Sequence, residues 1–378
     1  MKRIAILGST GSIGKSALQI VTHLKQELKI TALAARTNSE LLISQAQEFA
    51  PLVVAIWDKE RALEVEKRLP HIPVLAGPEG VASLAADGPF DLLLSAISGA
   101  EGIVPTLRAL EKGRSVALAN KETLVAAGEL VMQLVKEKGA TLIPVDSEHT
   151  ALFQCLKGEN PRFIERLILT ASGGPFREYS NERLEHVGVA EALCHPNYRM
   201  GPKVTIDSST LMNKGLEMIE AHHLYGISAS KIEVVIHPEQ IIHSLAAFVD
   251  GSILAQLSEP NMLFPIQYAL TYPKRLESPL PPFDFQRQRA LNFFPADLDR
   301  FKCLKLAYDS MRVGGSMPCY MNAANEVLVS RFLSGEIRWS QIGQKLERLM
   351  EKHTVENSLT LEKVVGVDAR ARQEAAKM

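Results

Sequence analysis

This chain of 378 residues has little cysteine, no surplus of charge and no long apolar run. The four cysteines, Cys155, Cys194, Cys303 and Cys319, stand far apart with no Cys-x-x-Cys spacing. That argues against a disulfide framework and a structural zinc site, and a reducing compartment fits best. Lys plus Arg (42) nearly equals Asp plus Glu (43), for a formal net charge of −1. Nucleic acid and anionic membranes attract basic proteins, so neither is an expected partner, and any positive charge that holds a phosphate has to be local. The opening stretch MKRIAILGSTGSIG contains only the apolar run IAIL, too short for a signal sequence. No segment reads as a membrane span or a transit peptide, so the expected location is cytoplasmic.

What is present is an ordinary globular composition, 46% hydrophobic and 22% charged, on a chain long enough for two or three domains. Residues 1–150 alternate short apolar runs with helical periods. Strands are expected at 3–7, 30–35, 52–56, 74–76, 92–95, 115–119 and 141–145, and helices at 16–28, 39–49, 59–69 and 103–112. Runs that are apolar on both faces, interleaved with helices, predict an α/β fold with a Rossmann-like, doubly wound parallel sheet. From residue 151 the pattern becomes α+β, with strands at 163–171, 231–236 and 251–258 and a helix at 212–225, and this domain is expected to run to 275. Pro273, Pro279, Pro281 and Pro282 stiffen the passage TYPKRLESPLPPFDF (271–285), and 276–300 reads as a linker. Helical periods at 301–312, 321–334, 339–353 and 361–377 predict a C-terminal helical bundle over 301–378.

The first strand runs directly into Gly8-Ser9-Thr10-Gly11-Ser12-Ile13-Gly14 and then a helix. Glycines at these points allow a tight turn, close approach of a pyrophosphate and close helix–strand packing, with helix N–H groups facing the phosphates. A plain structural turn is the alternative. The second strand ends in Ala35-Arg36-Thr37-Asn38 with no acid for ribose hydroxyls. Arg36 and Asn38 suit a 2′-phosphate, which favours NADP over NAD; Arg36 as an ordinary surface residue is the competing reading.

The strand at 141–145 ends in Asp146-Ser147-Glu148. On an extended segment the two carboxylates point the same way, and the carboxyl end of a parallel sheet is where ligands bind. Glu217, on the 212–225 helix, offers a third carboxylate, and three oxygens with no His/Cys cluster favour Mg²⁺ or Mn²⁺. A helix cap at Asp146 and a surface charge at Glu148 would explain the same residues. Asn120-Lys121-Glu122 follows the strand at 115–119, where Lys121 can reach a substrate oxygen or the residues can simply start a helix. Ser172-Gly173-Gly174-Pro175 can form an anion nest or only a turn. The segment HPNYRMGPKVTIDSSTLMNKGLE (195–217) combines a Gly/Pro-broken loop, expected as a mobile lid over 195–203, with anion donors and Glu217. Asp207 through Thr210 read as the start of the helix that carries Asn213, Lys214 and Glu217. His237 and His243 read as packed or hydrogen-bonded histidines rather than ligands.

The ordered set GSTGSIG (8–14), ANKE (119–122), VDSEH (145–149), SGGPF (172–176), HPN..MG (195–201), DSST.MNKGLE (207–217) and HPE..IHS (237–244) resembles the 1-deoxy-D-xylulose 5-phosphate reductoisomerase family over essentially the whole chain. The resemblance implies an NADPH-dependent homodimer, with Mg²⁺ or Mn²⁺, acting in the non-mevalonate route to isoprenoids. Its reaction converts 1-deoxy-D-xylulose 5-phosphate to 2-C-methyl-D-erythritol 4-phosphate, most simply by retro-aldol cleavage, re-aldol joining and reduction of an aldehyde. Carried over by motif, Asp146, Glu148 and Glu217 match metal ligands, and Lys121 and Ser147 match residues holding the substrate's carbonyl and hydroxyl end. Ser172, Ser208, Asn213 and Lys214 match the phosphate site, and His195 the lid. Thr10, Gly11, Ser12, Ile13, Arg36 and Asn38, with Asn120, Glu122 and Gly201, match NADPH contacts. Ala35 stands where a glycine is common, and Tyr198 where the lid commonly carries Trp. The residues alone leave open another metal-assisted NADP-dependent dehydrogenase on a phosphorylated polyol, or a non-catalytic NADP-binding sensor.

Overall fold

The structure is a computed structural model that describes residues 1–197, 200–287 and 290–378. The chain forms two compact units. One comprises Met1–Thr123, Val131–Thr150 and Asn261–Pro281, and the other Leu124–Leu130, Ala151–Pro260 and Pro282–Met378.

In the first unit, β1 (Lys2–Leu7), β2 (Leu28–Ala35), β3 (Val53–Ile56), β4 (Val74–Ala76), β5 (Leu92–Ser95), β6 (Val116–Leu118) and β7 (Leu142–Pro144) form one sheet. Its order is β4-β3-β2-β1-β5-β6-β7, and every pairing is parallel. The strands need apolar side chains on both faces because helices cover both: Ile4, Ile6, Leu92 and Leu94 are all fully buried. Burying one such side chain stabilises the fold by roughly 1.5–3 kcal/mol. The first two helices are α1 (Ser12–His23) and α2 (Ser39–Phe49). Helix α1 buries Ala17, Leu18, Ile20 and Val21, at helical spacing, in a core that also takes Ile266 and Leu270 of the Leu263–Thr271 helix. The strand order reverses direction at β1, so a crevice lies at the carboxyl ends of β1 and β5, where such sheets bind ligands.

Two local expectations change. The first helix spans Ser12–His23 rather than 16–28. The amphipathic period continues through Leu28, but Leu28 pairs with Lys2 and begins β2, so ladder hydrogen bonds override it. Ser147 and Glu148 lie not on an extended segment but in the first turn of a helix, Ser147–Cys155.

In the second unit, β8 (Ile164–Ala171), β9 (Ile232–Ile236), β10 (Ile242–Phe248), β11 (Ile253–Leu257) and β12 (Phe294–Pro295) form a sheet in the order β11-β10-β8-β9-β12. Only the β8–β9 pair is parallel, and its crossover carries the helices Pro202–Ser209 and Met212–Tyr225. β10 was not expected, because His243 and Ser244 interrupt its apolar pattern. Both are buried there, with His243 Nε2 2.9 Å from Ser258 Oγ. β12 adds an edge strand within the segment read as a linker. The helices Lys302–Val313, Met317–Leu333, Trp339–Lys352 and Leu361–Lys377 complete the unit. Cys155, Cys303 and Cys319 are buried, none of the four cysteines is bridged, and burial pushes those three thiols up to about 11, 12 and 12. Among the described residues no helix is long and apolar enough to cross a membrane.

Candidate active site

The glycine turn follows β1. Gly8 has φ +85°, and a Cβ there would stand 2.4 Å from the Ala96 carbonyl oxygen, so only glycine fits. Thr10 follows, and Gly11 N-caps α1 without a side-chain cap, which leaves the exposed Ser12 and then Ile13 at a helix start whose N–H groups suit an anion. Arg36, at the end of β2, is exposed and pairs with Glu101 at 2.8 Å. Asn38 caps α2 by accepting from Leu41 N at 3.1 Å. Asn38 is thus a helix cap and Arg36 a paired surface cation, and both lie at the carboxyl edge of β2.

Asn120 sits between β6 and the helix Lys121–Lys138. Its Nδ2 donates to the carbonyls of Ile97 and of Gly99, the latter at 2.8 Å, and its Oδ1 accepts from Thr123 N at 2.9 Å. The amide is thus locked in one orientation, and Glu122 beside it is buried. Lys121 Nζ lies 2.6 Å from Asp146 Oδ2. Ser147 Oγ donates to Glu148 Oε2 at 2.6 Å, and carboxylate oxygens of Asp146 and Glu148 come within 4.8 Å of each other. The two acids are thus neighbours through a helical turn rather than through strand alternation. His149, which the sequence reading passed over, is fully buried with a ring nitrogen within 4.8 Å of an Asp146 oxygen. Its place directly after the Asp-Ser-Glu triplet was the available signal.

The second unit gathers the remaining candidates. Ser172 follows β8, and its Oγ accepts from Gly174 N at 3.2 Å and lies 3.0 Å from His195 Nε2. Gly174 has φ +67°, and a Cβ there would meet the Ser208 carbonyl at 2.7 Å, so the glycine loop lies directly against the helix bearing Ser208. Lys214 is 4% exposed, and its ammonium pairs with the buried Glu217 carboxylate. Asn213 Nδ2 donates to the other Glu217 oxygen at 2.5 Å. Burial, and secondly the Lys214 charge, hold His195 down at about 4, so its ring is neutral near pH 7.

Two expectations in this unit need correction. Lys203 lies on the Pro202–Ser209 helix, with Gly201 as its N-cap, so the expected lid over 195–203 does not include Pro202 or Lys203; Tyr198 lies outside the described residues. Asp207 does not start the next helix. It is buried, with Lys203 Nζ at 2.9 Å and Asn325 Nδ2 at 2.8 Å. Leu211, left-handed at φ 59°, breaks the chain into two helices, and Thr210 Oγ1 accepts from Met212 N at 3.3 Å. His237 is tied to Asn292 O and stacked on Phe293.

Comparison with known proteins decides what these motifs belong to. A sequence model of 1-deoxy-D-xylulose 5-phosphate reductoisomerase matches residues 4–128. Models of that enzyme's C-terminal regions match 142–225 and 257–374. The enzyme of that name from Protochlamydia amoebophila is 54% identical over 377 residues, covering 100% of this chain and 98% of that protein. The chain belongs to the 1-deoxy-D-xylulose 5-phosphate reductoisomerase family. The reductoisomerase from Thermodesulfovibrio yellowstonii is 45% identical over 377 residues, covering 100% and 99%. Among solved structures, the Zymomonas mobilis reductoisomerase in complex with NADPH superposes with a TM-score of 0.94 at 40% identity, covering 100% of this chain and 98% of that one. A reductoisomerase in complex with NADPH, fosmidomycin and magnesium gives 0.92 at 38% identity, with the same coverage. The Rossmann-like sheet, the second sheet and the C-terminal helices are thus those of the reductoisomerase fold.

Proposed function

We propose that the chain converts 1-deoxy-D-xylulose 5-phosphate to 2-C-methyl-D-erythritol 4-phosphate with NADPH and Mg²⁺ or Mn²⁺, as an NADP-dependent oxidoreductase of isoprenoid biosynthesis. The observation that carries the residue assignment is a pair of matched contacts at motif positions: Lys121 on Asp146 in one unit, and Lys214 on Glu217 in the other. Each contact fixes a carboxylate in place on an ammonium, with which a divalent cation would compete for it. Asp146, Glu148 and Glu217 offer no nitrogen or sulfur, which fits a hard cation, and these three would hold it. When bound, such a cation supplies Lewis-acid polarisation of neighbouring substrate oxygens, and NADPH supplies hydride.

The chain's own residues bind and orient. Ser172, Ser208, Asn213 and Lys214 take the phosphate, whose binding energy fixes the reacting carbons. Neutral His195 covers the substrate and shares a hydrogen bond with the Ser172 hydroxyl. Lys121 and Ser147 hold the carbonyl and hydroxyl end. Thr10, Gly11, Ser12 and Ile13 cradle the pyrophosphate, and Arg36 with Asn38 faces the 2′-phosphate. Asn120, Glu122 and Gly201 meet the rest of the cofactor, Asn120 by fixing the Ile97 and Gly99 carbonyls. The loop from His195 to Gly201 acts as a lid. The chain works as a cytoplasmic homodimer, organised as an NADPH-binding part (1–150), a catalytic and dimerisation part (151–275), a linker (276–300) and a helical part (301–378). A different polyol dehydrogenase or a non-catalytic sensor is not favoured, since the metal, phosphate and cofactor motifs occur together along one family sequence. The test is NADPH oxidation with 1-deoxy-D-xylulose 5-phosphate before and after chelation and Mn²⁺ readdition. Absence of metal-dependent oxidation refutes the proposal.

A further inference from the structure

The glycine turn of the first unit is anchored from the neighbouring strand and helix as well as from β1. Gly8 N and Ser9 N both donate to the Ala34 carbonyl of β2, each at 2.9 Å. The Ser9 carbonyl is enclosed. A Cβ on Gly14 would stand 2.6 Å from its oxygen, and Gln45 Nε2 of α2 donates to it at 3.0 Å. Ser9 is fully buried and Gln45 is 5% exposed. Among the described residues Gln45 Oε1 and Ser9 Oγ find no hydrogen-bond partner, so the bond to the turn is where the Gln45 amide is engaged. Leucine in its place would leave the enclosed Ser9 carbonyl without this donor, so the amide serves the turn and not only the packing of α2. Gln45 therefore has a role in the turn itself.

The peptide plane supplies that role. In a trans peptide the carbonyl of one residue and the N–H of the next point in opposite directions. Drawing the Ser9 oxygen inward therefore turns the Thr10 N–H outward, at the head of the turn. We propose that Gln45 is a positioning residue for the cofactor: by holding the Ser9 carbonyl it aims the Thr10 N–H, and the turn behind it, at the dinucleotide pyrophosphate. The proposal rests on reading the Gly8–Gly14 turn as that cradle. It also links the two cofactor contacts, because Gln45 and Asn38 lie seven residues apart, two turns along one face of the same helix.

The test measures NADP⁺ binding by titration calorimetry from pH 5.5 to 8, with melting temperature recorded in parallel. Gln45→Met keeps the shape and removes the donor; its dissociation constant should rise about tenfold. Gln45→Glu should bind weakly at pH 8, where a carboxylate faces the Ser9 carbonyl. It should recover toward wild type as the pH falls, because the protonated acid donates as the amide does. The ratio of its dissociation constant to that of wild type is read, which cancels titration of the cofactor's own phosphate. A merely structural role lowers the melting temperature and leaves that ratio flat. A flat ratio, or wild-type binding by Gln45→Met, overturns the proposal. Ser12→Asp separates the two readings: it suits a helix N-terminus but repels a pyrophosphate. Lost binding in Ser12→Asp alongside wild-type binding in Gln45→Met overturns the Gln45 role alone. Undiminished binding in Ser12→Asp overturns the cradle and the Gln45 role together.

Discussion

Replacing Lys214 by Met tests three consequences of one buried charge. The ammonium pairs with Glu217, and Asn213 donates to the same carboxylate at 2.5 Å. Removing one partner of a buried ion pair costs roughly 3–5 kcal/mol. Here the remaining Asn213 bond and the carboxyl's ability to take up a proton bring the expected loss to the low end, about 3 kcal/mol, read as a shift of the urea midpoint. The second consequence is catalytic. If Lys214 grips the substrate phosphate, the lost charge-assisted bond, about 1.5–3 kcal/mol, raises KM for 1-deoxy-D-xylulose 5-phosphate by roughly 10- to 150-fold at saturating Mn²⁺, with a smaller fall in kcat. The third is spectroscopic. Burial first, and Lys214 second, hold His195 at about 4. Without the lysine its ring titrates at higher pH, though still below 6.5 because burial remains, and proton NMR of the imidazole follows it. A KM within twofold of wild type, in a variant whose His195 has shifted, refutes the phosphate role and leaves only the ion pair.

Arg36→Asp should invert or erase the preference for NADPH over NADH, with at least a tenfold change in the ratio of their dissociation constants, since it sets a second carboxylate beside Glu101 where the 2′-phosphate is proposed to lie; an unchanged ratio sinks the assignment. Glu217→Gln should lose nearly all turnover at limiting Mg²⁺, and wild-type rates there would remove Glu217 from the ligand set. His243 is 4% exposed and sits at about 4, chiefly through burial. Because its native value lies below the unfolded 6.5, its contribution is whole above pH 6.5 and is lost as pH falls toward 4, about 3 kcal/mol in all. Urea unfolding at pH 7.5, 5.5 and 4.5 should show that loss in wild type and a shallower one in His243→Asn; equal slopes contradict the account.

Much of the first unit was legible because a parallel sheet covered on both faces prints short apolar runs between helical periods. Val74–Ala76, Leu92–Ser95 and Ser39–Phe49 fall where the sequence puts them. The boundaries that moved did so where tertiary bonds competed with local pattern, as at Leu28. β10 was hidden because the partners of its polar groups lie elsewhere in the sequence: Ser258 bonds the His243 ring, and Thr170 donates to the Ile242 and His243 carbonyls. The same holds for Asp207. Ser and Thr beside it suggest a helix start, yet its partner Asn325 lies more than a hundred positions on. The candidate residues themselves were visible as clusters of residue types, but not their pairing. Lys121 with Asp146 and Ser172 with His195 each join segments about 25 residues apart. No periodicity reports such contacts, so the sequence cannot show which carboxylates already hold a counter-charge.

That counter-charge has a testable consequence of unusual sign. Lys121 Nζ, 2.6 Å from Asp146 with both side chains mostly buried, occupies the oxygen that Asp146 would offer to a divalent cation under the proposed ligand set. Ammonium and cation therefore compete for one carboxylate, whereas substrate, by drawing Lys121 onto its carbonyl end, would leave that oxygen to the cation. Lys121→Met should accordingly bind Mn²⁺ more tightly than wild type when no substrate is present, by about fivefold for a partly buried pair worth about 1 kcal/mol. In wild type, 1-deoxy-D-xylulose 5-phosphate should tighten Mn²⁺ binding, and by linkage Mn²⁺ should tighten substrate binding equally. Direct contact between cation and substrate would give a coupling of the same sign, so the variant carries the distinction: the lysine's share disappears in Lys121→Met and only the direct share remains. Electron paramagnetic resonance titration of Mn²⁺, without NADPH so that nothing is reduced, measures all four affinities. If Lys121→Met binds Mn²⁺ no more tightly than wild type, the ammonium does not stand in for the cation, and Asp146 has to be approached from its other oxygen.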